Sequence, residues 1–286
     1  MNLEKILSKQ LAPIETIITE KDCMLYALGI GLGQDPLDSK QLQFVYEKSL
    51  QVFPSMSVVI AHPGPWMREP ELEVNYLKLL HGEQAIIQHK PLVAGNCYIG
   101  QYKVLGVVDK GADKGAILYQ EKTLTDKASG ALVSTVTSSH FLRDDGGCGN
   151  SGYQPAPPPP ARPQGQAPDK VAQIETPPHT ALLYRLSGDY NPLHADPEIA
   201  AQAGFDKPIL HGLCTFGIAA RAILDCYGAS SPQSLASMGL RFSAPVYPGE
   251  MVEVQMWQMA DHIQFTATVP QRGVKVLDKG HAVCHN

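Results

Sequence analysis

Apolar and polar residues alternate without a break over 263–269, with Ile263, Phe265, Ala267 and Val269 set against Gln264, Thr266 and Thr268. A period of two predicts an antiparallel strand with one buried face. Shorter apolar runs predict further strands at Ala85–Gln88, Cys97–Val108, Ala116–Thr123, Leu132–Ser138, Met251–Met256 and Lys275–Cys284. Helices are expected near Asp22–Gly29 and Ser39–Lys48. From His211 to Tyr227 the pattern changes, because Leu213, Phe216, Ile218, Ala219, Ala220, Ile223 and Leu224 fall on every side of a helix. A helix apolar all round is a buried one. At this length it is too short to cross a membrane, and no other apolar run reaches the roughly 18 residues a span needs. A central helix wrapped by a curved antiparallel sheet fits the pattern.

The pattern stops at Pro155–Pro168, PAPPPPARPQGQAP. Proline removes backbone donors and holds the chain extended, so no packed core is expected there. This stretch divides the chain into an N-terminal unit over 1–150, a proline-rich linker over 151–169 and a C-terminal unit over 170–286. Helices precede strands in both units. Gly82-Glu83, which opens the strand EQAIIQ, matches Gly249-Glu250, which opens MVEVQ, as a faint internal repeat. The order predicts a duplicated α+β architecture.

Composition narrows the class. The 286 residues are 44% apolar and 18% charged, with a net charge of −5, so nothing favours nucleic acid as a partner. Six cysteines, at 23, 97, 148, 214, 226 and 284, form no CxxC pair and no metal-ligand spacing, and free thiols are expected. The N-terminal MNLEKILSKQ lacks the apolar stretch of a secretory signal.

Candidate chemistry concentrates in Tyr184–Phe205, YRLSGDYNPLHADPEIAAQAGF. Ser187-Gly188-Asp189 and Asn191-Pro192 are turn residues, and Pro192 opposes a regular helix. Asp196-Pro197 starts a short helix as N-cap and first residue, which Gly204 closes. Asp189, Asn191 and His194 therefore lie on an irregular loop. Asp189 and His194 could share one water, one removing a proton while the other donates one. The plainer alternative is that Asp189 caps a turn and His194 packs passively. Gly212, at the start of the buried helix, offers an amide without an intrahelical partner, at a positive dipole end and with no Cβ in the way. A thioester oxygen could be stabilised there as an oxyanion.

Residues 147–152, GCGNSG, match GxGxxG, but the proline-rich stretch follows where a dinucleotide site needs a helix. No GxSxG elbow or Walker A string is present. His194-x-Asp196 could be imagined as metal ligands, but Asp196 serves better as an N-cap.

The string YRLSGDYNPLHADPEIAAQAGFDKPILHGLCTFG resembles the hydratase 2 motif of MaoC-like enzymes. LHGEQ at 80–84, VVDKG at 107–111 and RFSAPVYPGE at 241–250 are similar to the same family, so the resemblance covers nearly the whole chain. It implies a double hot dog fold whose second unit keeps the catalytic loop, while the first, which has no D-x-N-P-L-H string, makes room for a long acyl chain. Where the family often has GGFGG this chain has GGCGNSG.

Carried over by position, the resemblance implies a catalytic pair at Asp189 and His194, an oxyanion amide at Gly212, and Asn191 orienting the water. It places acyl-CoA contacts at His81, Gly82, Lys110 and Phe242, and along the loop at Tyr190, Pro192 and Leu193. Lys110 suits the phosphates of CoA; Arg241 and Lys114 are weaker candidates, since a solvated surface charge explains each. The implied reaction is R-specific, syn hydration of trans-2-enoyl-CoA to (3R)-3-hydroxyacyl-CoA in β-oxidation. It requires neither metal nor cofactor, since CoA enters with the substrate. A homodimer is implied, as is a peroxisomal address, although the C-terminal HAVCHN is not the usual tripeptide and the cytoplasm is the alternative. A dehydratase or thioesterase on the same fold is the nearest rival, and a non-catalytic acyl-CoA binding module the second.

Overall fold

The computed structural model describes residues 1–157, 165–228 and 231–285. Among the described residues ten antiparallel strands form one sheet, in two halves of five. The first half holds β1 (Ile14–Ile17), β2 (Leu79–Gln88), β3 (Cys97–Asp109), β4 (Ala116–Asp126) and β5 (Leu132–Leu142). The second holds β6 (Lys170–Glu175), β7 (Leu235–Phe242), β8 (Met251–Gln258), β9 (Ile263–Val269) and β10 (Val274–Cys284). Their spatial order, β1-β3-β4-β5-β2-β7-β10-β9-β8-β6, reads the same from either end once each strand is replaced by its counterpart five later. The fold is the double hot dog that the sequence implies, and β2 and β7 form the seam between its units, with Glu83 opposite Arg241 and Ile86 opposite Met238.

Among the described residues six α-helices accompany the sheet: α1 (Leu3–Ser8), α2 (Glu20–Gly29), α3 (Ser39–Val45), α4 (Thr180–Tyr184), α5 (Pro197–Gln202) and α6 (Gly212–Tyr227). Helix α6 is the buried centre, and every residue from Cys214 to Leu224 is shielded from water. Its chemistry explains how tightly the units join. The Cys214 thiol donates to the Gly29 carbonyl at 3.3 Å and the Arg221 guanidinium to that of Gly31, both at the end of α2. A Cβ on Gly217 would come within 2.4 Å of Ile30, so glycine is needed for that approach. One apolar core spans both units, and a smaller one lies under α1 around Ile6, Trp66, Val107 and Leu118. No helix among the described residues is long and apolar enough to cross a membrane.

Several expectations change. The repeat seen in Gly82-Glu83 and Gly249-Glu250 pairs the wrong strands: β2 corresponds to β7, and β8 to β3. Strands β1, β6 and β7 carry no clear alternation and were not expected. Part of the proline-rich stretch, 158–164, lies outside the described residues, but its flanks are packed rather than loose. Tyr153 stacks near Tyr119, with ring centroids 5.2 Å apart, and fills the space over Gly106, where a Cβ would fall 2.3 Å from it. On the other side the Trp257 indole donates to the Gln166 carbonyl at 3.0 Å. All six cysteines are free thiols.

Candidate active site

The loop after α4 is shaped by short polar side chains. The helix runs into one 3-10 turn, Arg185–Ser187, and stops at Gly188, whose φ of 117° suits glycine alone. The Asn191 amide then donates to the Asp189 carboxylate at 3.1 Å, and the Leu193 amide to the Asn191 side-chain oxygen at 3.1 Å. These local bonds let the chain turn where Pro192 forbids regular helix. Asp196 caps α5 through the amides of Glu198 and Ile199, as expected. The result leaves Asp189 exposed and His194 buried.

His194 Nδ1 lies 2.8 Å from the carbonyl of Ile209. A carbonyl only accepts, so Nδ1 carries the proton and the neutral ring keeps a lone pair on Nε2. Against this ring lies His211, with centroids 3.7 Å apart and planes at 28°. His211 Nε2 donates in turn to the main-chain oxygen of Asp189 at 3.1 Å. One ligand atom from each of Asp189, His194 and His211 lies within 4.8 Å of the other two. Two acceptors bridged by one water stand about 4.6 Å apart, so this spacing has room for a shared water. Bonds of metal length would require the atoms to draw in to about 3.4 Å.

The third component is the start of α6. His211 is its N-cap but gives no side-chain cap, and the helix's own bonds begin with the Cys214 amide reaching the His211 carbonyl. The amide of Gly212 is left out of that bonding, at the positive end of a 16-residue helix. The Phe242 ring covers Gly212, 3.4 Å from where a Cβ would stand, and His81 meets the edge of the same ring at 4.9 Å. Gly82 follows at the bulge where β2 shifts register against β5, and a Cβ there would press on Ser139 at 3.0 Å.

The predicted residues are therefore only partly gathered. Asp189, Asn191, Pro192, Leu193 and His194 share one loop, and Gly212, Phe242 and His81 form a continuous wall. Tyr190 is exposed under the Arg185 guanidinium, 4.9 Å from its ring. Lys110 stands apart on the β3–β4 turn, three strands from His81. Asn191 accepts from the Leu193 amide with its side-chain oxygen, so that bond fixes the side chain within the loop. Arg241 is paired with Glu83 across the seam at 2.6 Å. His211 was missed; a histidine beside a glycine carries no signal in one sequence until the fold sets it against the loop.

Burial dominates the local electrostatics. It pushes the His194 imidazole below its usual range, and His211 down to about 4, with neighbouring His194 adding to the effect. His81 is likewise pushed down to about 4 by burial. Neutral imidazoles thus face an exposed carboxylate. The GxGxxG segment proves to be a scaffold: the amides of Gly147 and Gly149 donate to the Asp109 carboxylate at 2.9 and 2.8 Å. Those donors are already used by the chain's own anion.

Residues 160–279 match the MaoC like domain, and residues 17–144 match the MFE-2 hydratase 2 N-terminal domain. A probable enoyl-CoA hydratase 2 of Dictyostelium discoideum is 35% identical over 99% of this chain and 96% of its own length. A peroxisomal enoyl-CoA hydratase 2 of Arabidopsis thaliana is 37% identical over 96% of this chain and 93% of its own. The crystal structure of a MaoC-like dehydratase from Phytophthora capsici superposes with a TM-score of 0.87, at 33% identity, covering 100% of this chain and 99% of that one.

Proposed function

The chain belongs to the MaoC-like hydratase 2 family, and from that premise we propose that it is an (R)-specific 2-enoyl-CoA hydratase of β-oxidation. The observation that carries the reading is the meeting of Asp189 and His194 beside an unbonded Gly212 amide. The amide receives the thioester oxygen and stabilises the enolate that forms on it. A water held between the Asp189 carboxylate and His194 Nε2 attacks C3. Its O–H bond breaks as the C3–O bond forms, the π pair moves into the C2–C1–O enolate, and the proton taken up by the pair is returned to C2. Asp189 and His194 act here as one coupled acid–base unit. Hydration and dehydration are the two directions of the same step.

His81 and Phe242 would wall the thioester end, and Lys110, three strands away, would meet the outlying phosphates of CoA. Neither metal nor cofactor enters the reaction as written. We further propose that the protein works as a homodimer, and in the peroxisome rather than the cytoplasm, in keeping with the compartment named for the Arabidopsis relative. The test is direct: trans-2-enoyl-CoA loses its conjugated absorbance on hydration without release of free thiol. Thiol release would favour a thioesterase, and binding without turnover a non-catalytic module.

A further inference from the structure

Most helices fill their N-cap position with a residue whose side chain accepts from the first turn, a device worth about 1 kcal/mol. Helix α6 forgoes it. His211 occupies the N-cap and caps nothing. Its imidazole turns instead toward the 188–194 loop, where it does two things at once. Nε2 donates to the main-chain oxygen of Asp189 at 3.1 Å, and the ring face lies on His194 with centroids 3.7 Å apart. The residue is 1% exposed, so both contacts are made out of water.

Nothing else described links these parts so directly. The Asp189 carboxylate is exposed, and its loop follows Gly188, a residue with wide backbone freedom. His194 is tied through Nδ1 to Ile209, on the segment leading into α6. His211 bonds the main chain of Asp189 and stacks on the ring of His194, and it is covalently joined to Gly212. We infer that His211 is a positioning residue, which sets the distance between Asp189 and His194 and holds that pair in register with the Gly212 amide. The inference rests on the hydratase reading and adds to it a residue that fixes the geometry without touching the reacting atoms.

A role of this kind has a signature. Displacing a reacting group by about 1 Å can cost about 100-fold in rate, whereas the distant contacts that bind CoA are untouched. The loss should therefore fall on kcat and leave KM nearly alone. Glutamine can extend an amide N–H to the place of Nε2; asparagine falls one bond short; phenylalanine keeps the stacked face but donates nothing.

The experiment measures hydration of trans-2-decenoyl-CoA by the intact protein and by H211Q, H211N and H211F, with thermal melts beside each. We expect H211N and H211F to lose roughly 10- to 100-fold in kcat with KM within about threefold. H211Q should stay within about fivefold of the wild type, because the donor is restored. H211Q and H211N have similar polarity and size, so their comparison survives even if H211F fails to fold. The inference is overturned if H211Q is no better than H211N, if all three match the wild type, or if the loss lies in KM with kcat kept. Absence of hydration by the wild type would overturn the hydratase reading itself, and the role of His211 with it; an active wild type with unaffected variants overturns the role of His211 alone.

Discussion

The Lys122 ammonium, on β4, donates to the carbonyl of Ile60 at 2.6 Å, and also to those of Ser57 and Val58 at 2.8 and 3.2 Å. The side chain is 2% exposed, so a lysine replaces water as the partner of three main-chain oxygens at the end of a 3-10 turn. Replacing it with methionine would fill the volume and leave those oxygens without a donor. We expect Lys122→Met to lower unfolding free energy by at least about 3 kcal/mol, since three buried acceptors are orphaned at about 1–3 kcal/mol each. Urea unfolding measures it, and a change below about 0.5 kcal/mol would show that solvent reaches the site.

Asp189→Asn and His194→Ala should each reduce turnover at least ~100-fold, as expected for acid–base groups. Asp189 is exposed, so its substitution should leave the melting temperature nearly unchanged. Near-normal activity in either variant would remove that residue from the mechanism.

Stability should fall in mild acid. His81 and His211 are held neutral by burial down to about pH 4, and burial also lowers His140 and His194. Unfolded histidine takes a proton near pH 6.5, so below that value the unfolded chain binds more protons than the folded one. The stabilisation is complete above about pH 6.5 and is lost progressively as the pH falls toward 4. Urea midpoints across this range test it; a midpoint that is flat or rises on acidification contradicts the assignment of these rings as neutral.

The product should be the R alcohol. Asp189 and His194 hold the water from one loop and Gly212 fixes the thioester oxygen, so water reaches C3 from one face only and a single hand forms; the hydratase 2 reading makes that hand R. Dehydrogenases specific for each hand of 3-hydroxydecanoyl-CoA read the outcome. Signal from the S-specific enzyme alone would refute the R-specific reading even with hydration confirmed.

Legibility followed local pattern. Strand β9 is legible to both its ends because Gln264, Thr266 and Thr268 interrupt the apolar face at every second residue. Helix α6 was legible because it is apolar all round, and the Asp189–His194 loop because its turn residues are dense. Strand β7, LASMGLRF, was missed because it lies at the seam with neighbours on both edges, and burial there does not alternate cleanly. Edge strands β1 and β6 are short, four and six residues, and their register comes from long-range partners. His211 was illegible for a related reason: its value lies in a contact 22 residues away.

The mirrored strand order has an evolutionary corollary. Two identical hot dog chains paired by a twofold axis must change together, because every substitution appears twice. Joining the halves in one polypeptide lifts that constraint. Mutations that empty one half of its chemistry, or widen it, no longer damage the other, and selection can act on ligand size and on reactivity as separate traits.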